Sequence, residues 1–167
     1  MGQVLAIERP ERIVRLILSA TWPGRDGYFD ALFANRSAVL EAMGIEAYAR
    51  LSALFMKPAA WFHEHPEAAE ADAQILLASD PDPEITLSRI DAIRRFDRRA
   101  EIHRIQAPTL VFGAADDLVT PAYHFHALAA AIPNARLAML PTGGHFYPNM
   151  APDAFRSAVL GFLAENA

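Results

Sequence analysis

The order of apolar runs after residue 104 constrains the fold more than any other feature of the sequence. Thr109-Leu110-Val111-Phe112 is short, continuous and rich in β-branched and aromatic residues, the pattern of a strand covered on both faces. Ala135-Arg136-Leu137-Ala138-Met139-Leu140 has the same character less cleanly. Between them, Ala122 to Ile132 sets Phe125, Leu128, Ala129 and Ile132 at helical spacing, behind the N-cap and first-turn signals Thr120-Pro121. Strand, helix, strand in this order makes a parallel pair joined by a crossover. Upstream, Ile13-Val14-Arg15-Leu16-Ile17-Leu18 reads as a further strand of the same buried kind. Downstream, a helix from about Pro152 to Leu163 carries Phe155, Val159, Phe162 and Leu163 as a stripe that would cover one face of the sheet.

The interval from Tyr28 to Asp97 contains no convincing strand. It repeatedly shows helical stripes: Phe29, Leu32 and Phe33; Leu51, Leu54 and Phe55; Ile90, Ile93 and Phe96. Three to five helices are expected, broken at Pro58, at Pro66 and at Asp80-Pro81-Asp82-Pro83, because proline removes a donor and restricts its predecessor. The expected organisation is therefore a parallel α/β core from residues 1–27 and 98–167, with a helical insertion over 28–97 acting as a cap.

With 53% hydrophobic and 21% charged residues, the 167-residue chain can bury a core. Fifteen Lys and Arg are scattered among twenty acids, for a net charge of -5, which disfavours nucleic acid as a partner. No apolar run approaches the ~20 residues that span a bilayer, and no signal-peptide pattern opens the chain, so a cytoplasmic location without membrane contact is expected. The absence of cysteine excludes a disulfide framework, a thiolate metal site and a cysteine nucleophile within these residues.

In open parallel sheets the reacting groups gather beyond the carboxyl ends of the strands. Here one such end runs Gly113-Ala114-Ala115-Asp116-Asp117-Leu118-Val119-Thr120-Pro121, and the next runs Pro141-Thr142-Gly143-Gly144-His145. Neighbouring strands lie ~4.8 Å apart. Loops leaving the same edge can therefore bring a carboxylate to an imidazole, fixing its tautomer and stabilising its protonated form.

The succession strand, G-x-x-D, Pro, helix, strand, G-G-H, helix over Ile105 to Ala164 resembles the C-terminal half of the α/β-hydrolase pattern. The resemblance implies His145 as general base and Asp116, three residues after Gly113, as the acid. Asp117 is the alternative, because in many members the proline falls four residues after the acid. The segment Met1 to Val14 resembles the helix after the family's nucleophile elbow and the approach to its sixth strand, so an α/β-hydrolase fold truncated at the N-terminus is expected. Leu54-Phe55-Met56-Lys57-Pro58-Ala59-Ala60-Trp61 and Arg89 to Asp97 look like the aminoacrylate or carbamate hydrolases of pyrimidine utilisation, with enol-lactonases next. The implied substrate is a small carbonyl compound, with no cofactor, since acyl transfer of this kind needs only the triad and oxyanion donors.

A nucleophile elbow needs small residues two positions either side of the nucleophile, because its strand-to-helix turn is strained. None of the eight glycines stands four residues from another, and no serine stands two residues before a glycine. The nucleophile and its oxyanion donors are therefore expected outside these residues. That gap motivates a competing expectation: a non-catalytic module that pairs through an exposed strand edge, either as a homodimer or with a missing N-terminal part.

Other candidates admit simpler readings. Asp116 and Asp117 could cap the helix near Pro121. His63 with His65, and His124 with His126, have the H-x-H spacing of some metal sites, but residues two apart on a helix face different ways, so surface or cap positions and no metal are expected. Trp22 leaves the end of the first strand and is a candidate substrate-pocket residue, with packing under the cap as the equal alternative. Trp61 and Phe62 suit a core. Arg94, Arg95, Arg98 and Arg99 suit a solvated face better than an anion site.

Overall fold

In the computed structural model, which describes residues 1–165, helix α1 (Gly2–Glu8) and a short 3-10 turn (Pro10–Arg12) precede strand β1 (Leu16–Ser19). Helices α2 (Gly27–Ala53), α3 (Ala59–Glu64), α4 (Ala68–Leu77) and α5 (Pro83–Arg95) follow. Strand β2 (Thr109–Ala114), helix α6 (Ala122–Ala131), strand β3 (Ala135–Leu140) and helices α7 (Tyr147–Met150) and α8 (Pro152–Ala164) complete the order. The chain divides into two units, one built from Met1–Gly24 with the residues from Asp97 onward, the other from Arg25–Phe96.

The first unit is a three-stranded parallel sheet in the order β1-β2-β3, with Leu16 opposite Thr109 and Thr109 opposite Ala135. β1 starts three residues later than the apolar run suggests. The 3-10 turn at Pro10 takes the N–H of Ile13, and the partner strand is preceded by Pro108, which accepts from Leu16 N at 3.0 Å but has no N–H to return. The ladder cannot extend further upstream on that side. β2 lies in the middle and is buried along its whole length. Its alternation sorts the core by face. Val111 joins Leu16, Leu18, Ile105, Phe125, Leu128 and Ile132 on one side, where α1 and α6 lie; Leu110 and Phe112 join Tyr147 and Phe162 on the other.

Gly113 permits this packing, since a Cβ there would run into the Phe125 ring of α6. On α8 the sheet-facing stripe is Phe155, Ala158 and Phe162. Leu163, expected on that stripe, is instead half exposed at 49%. His124 is likewise corrected, from surface to 3% exposed, whereas His126 is exposed, so the two do face different ways.

The second unit is all helical. Asp26 caps α2 by accepting from Phe29 N at 2.8 Å, and Asp82 caps α5 by accepting from Glu84 N and Ile85 N behind Pro83. α2 is interrupted at Gly44, whose backbone is left-handed in φ (82°). Beyond that kink its buried residues are Tyr48, Ala49, Ser52 and Ala53; Leu54, expected on the stripe, falls just past the helix end and is exposed. Ala49 and Ala53 meet Ala73 of α4, small residues that let the two helices approach closely. Arg36, buried within α2, donates to Tyr48 Oη at 2.9 Å and Ser52 Oγ at 3.1 Å, its guanidinium resting against the Phe33 and Tyr48 rings. No helix among the described residues is long and apolar enough to cross a membrane.

Candidate active site

The loops after β2 and β3 leave adjacent parallel strands at the same sheet edge, with Ala114 opposite Leu140 and Ala115 N bonded to Leu140 O at 2.9 Å. Two adjacent acids ride on the first loop, and they turn opposite ways. Asp117 reaches the imidazole: its Oδ2 stands 2.9 Å from His145 Nδ1. The preferred assignment of Asp116 to this contact is thus corrected in favour of the alternative. Asp116 instead accepts from Thr142 Oγ1 at 2.5 Å, Gly143 N at 3.3 Å and Gly144 N at 2.9 Å.

The carboxylate of Asp117 is fully enclosed, with its side chain 0% exposed, and each oxygen is satisfied. Oδ1 accepts from Val119 N (2.7 Å) and Thr120 N (2.9 Å), and Oδ2 accepts from Thr120 Oγ1 (2.8 Å) and His145 Nδ1. These donors keep a buried negative charge tolerable. An ionised carboxylate only accepts, so against an ionised Asp117 this contact calls for the proton on Nδ1 of His145, and a neutral ring so held leaves Nε2 as the acceptor, the tautomer that a general base requires. The ring remains partly open, its side chain 22% exposed.

Thr120, expected as an N-cap, does something else. Pro121 stands at the cap position of α6 without a side-chain bond, and the Thr120 hydroxyl goes to Asp117. Its spacing to Asp117 is visible in the sequence, but the residue type equally suits a cap. Tyr147, two residues after His145, does not stand out in the sequence because an aromatic ring signals packing first. It is wholly buried, donates through its hydroxyl to Phe112 O at 2.9 Å, and stands 2.5 Å from Ser19 Oγ at the end of β1. With its one proton committed to the carbonyl, the phenol receives the serine proton. Burial, reinforced by the nearby Asp117 charge, pushes the Tyr147 hydroxyl up to about 12, so it stays neutral.

Trp22 follows β1 and is partly buried, its carbonyl accepting from Gln3 Nε2 at 2.9 Å. Of the other histidines, His65 stacks on Trp61 with centroids 3.8 Å apart. Arg95 pairs with Asp91, Arg98 with Glu8 and Glu101, and Arg99 with Asp97.

No family model matches the chain. It is 35% identical over 165 residues to a protein of Azorhizobium caulinodans named for carbamate hydrolysis, RutD, covering 99% of this chain and 62% of that one. A protein of the same name from Caulobacter sp. strain K31 is also 35% identical, over 166 residues, with the same shares covered. Among solved structures, a hydrolase from Pseudomonas aeruginosa superposes with a TM-score of 0.84 at 34% identity, over 98% of this chain and 60% of that chain. An enol-lactonase from Burkholderia xenovorans gives 0.85 at 26% identity, over 98% and 61%. The chain thus spans about three-fifths of the length of the relatives it matches. Within that span its parallel sheet, its helices and the order of its elements are those of the α/β-hydrolase fold.

Proposed function

We propose that this chain supplies the base and the acid of a serine-type α/β-hydrolase, with His145 as the general base, Asp117 as the orienting acid, and the nucleophile outside these 167 residues. The observation that carries the reading is the 2.9 Å contact between His145 Nδ1 and the enclosed, fully hydrogen-bonded Asp117, at the ends of neighbouring parallel strands. In such a reaction Nε2 of His145 takes the proton of the attacking hydroxyl, and the resulting imidazolium is stabilised by Asp117 across Nδ1–H. The proton then passes to the leaving group. His145 next draws a proton from water so that hydroxide attacks the acyl intermediate; the acyl–serine bond breaks and His145 hands that proton to the departing serine oxygen, returning the site to its starting state.

The substrate class proposed is a small amide or carbamate, ester or lactone. Support comes from the names of the relatives, a carbamate hydrolase and an enol-lactonase. Residues 28–97 are proposed as the cap of the core formed by 1–27 and 98–167, and Trp22 as a residue lining the substrate pocket. The sheet edge of β1 away from β2 has no strand partner among the described residues, which favours pairing with a further strand of the complete protein or with a second copy.

The test compares the 167-residue chain with a protein extended upstream to include a G-x-S-x-G segment, using a short activated ester. Turnover by the extended protein, abolished by His145→Ala, is expected. Robust turnover by the 167-residue chain alone would sink the claim that the nucleophile lies elsewhere. An extended protein that carries the elbow yet keeps its turnover after His145→Ala would remove the base assignment.

A further inference from the structure

The loop that delivers His145 reaches it through two consecutive glycines in conformations that other residues avoid: φ is 141° at Gly143 and 60° at Gly144. A Gly-Gly pair has no conformational preference strong enough to hold one such arrangement, and ordering it costs about 1–2 kcal/mol of backbone entropy per residue. Something outside the pair must select the arrangement. Asp116 is placed to do so, because its two oxygens take the N–H groups of both glycines and the hydroxyl of the preceding Thr142. Three donors converge on one carboxylate, and all three belong to the segment immediately before His145.

We propose that Asp116 is a positioning residue: a carboxylate clamp that fixes the Thr142-Gly143-Gly144 backbone and so sets where His145 meets Asp117. The inference rests on reading His145 as the base. The far side of the segment is held separately, since Tyr147 is tied through its hydroxyl to Phe112 O and Ser19. Gly143 also lies against Tyr147, where a Cβ would come within 2.7 Å of the tyrosine Cβ, so the loop is folded tightly between its two anchors. His145 is suspended between them. The adjacent acids therefore hold different parts of one residue, Asp117 orienting the ring of His145 and Asp116 fixing the main chain that carries it. A merely local capping role does not describe Asp116, because its partners lie 26 to 28 residues away across the sheet edge.

Two measurements test the clamp. In the isotope-labelled 167-residue chain, Asp116→Ala is expected to broaden or abolish the downfield His145 Nδ1–H signal. It should also speed amide exchange at Gly143 and Gly144 by about 10-fold or more, with β2 amides unchanged. Asp116→Asn, which keeps one acceptor oxygen but turns the other into a donor facing a glycine N–H, should restore the signal only in part. Unchanged His145 and glycine signals in Asp116→Ala would overturn the proposal, and so would equal loosening of β2, which would mark a general structural role. In the extended protein, Asp116→Ala should lower kcat by about 10- to 100-fold, the scale of a small misplacement of a reacting group, with KM moving far less. If His145→Ala abolishes turnover while Asp116→Ala leaves kcat intact, the clamp is wrong and the base assignment stands. If His145→Ala leaves turnover intact, the base assignment falls, and the signals of the labelled chain decide the clamp alone.

Discussion

Asp117→Asn preserves the size of the side chain but replaces one acceptor oxygen with a donor, facing either an imidazole N–H or two backbone N–H groups. In the extended protein the expected result is a loss of about 10³- to 10⁴-fold in kcat with little change in KM, since the histidine is pushed into the wrong tautomer. Thr120→Val removes the hydroxyl from Asp117 Oδ2 while keeping the shape. It should cost about 1–3 kcal/mol in denaturant unfolding, with Thr120→Ser recovering most of it. At this scale the sequence is least legible. The G-x-x-D spacing points to Asp116 and the distance to the proline points to Asp117, and neither rule knows which way the turn sends consecutive side chains. The backbone decides that, through the N–H groups of Val119 and Thr120 that close on Asp117. His145 needs no such decision, because a single histidine follows the last strand.

Elements are legible where one physical signal dominates. β2 is a nearly continuous apolar run and β3 a run broken by Arg136, each bounded by turn residues, and α6 begins one residue after Pro121. The apolar run overstates β1 because apolarity does not record that Pro108 denies the ladder a donor. The stripe expected at Leu51, Leu54 and Phe55 differs from the buried one for a related reason: beyond the kink at Gly44, α2 buries alanines against α4, and alanine carries almost no hydrophobic signal. Two predictions belong here. Gly113→Ala forces a methyl into the Phe125 ring and should destabilise the sheet unit by about 1–3 kcal/mol, read from urea midpoints. Asp82→Ala strips the cap from α5, whose two first-turn N–H groups it serves, and should cost about 1 kcal/mol by the same measurement.

For the molecule as a whole, Tyr147 links stability to pH. Its folded value of about 12 lies above the ordinary 10 of an exposed phenol, so the folded state holds the proton more tightly than the unfolded one. The resulting stability is complete below pH 10 and is lost as pH rises from 10 to about 12. Unfolding free energies measured across that window should fall in the native chain, and more shallowly in Tyr147→Phe. The helical unit offers a different consequence. The chain leaves the sheet unit at Gly24 and returns at Asp97, and these two residues form an antiparallel bridge, with Arg98 N bonded to Pro23 O beside them. Exit and entry are thus a single point. The segment between them is topologically a graft: its length and sequence can change over generations while the stem stays shut. Selection can then retune what the inserted helices contact while the ends of β2 and β3 keep their acids and histidine in register.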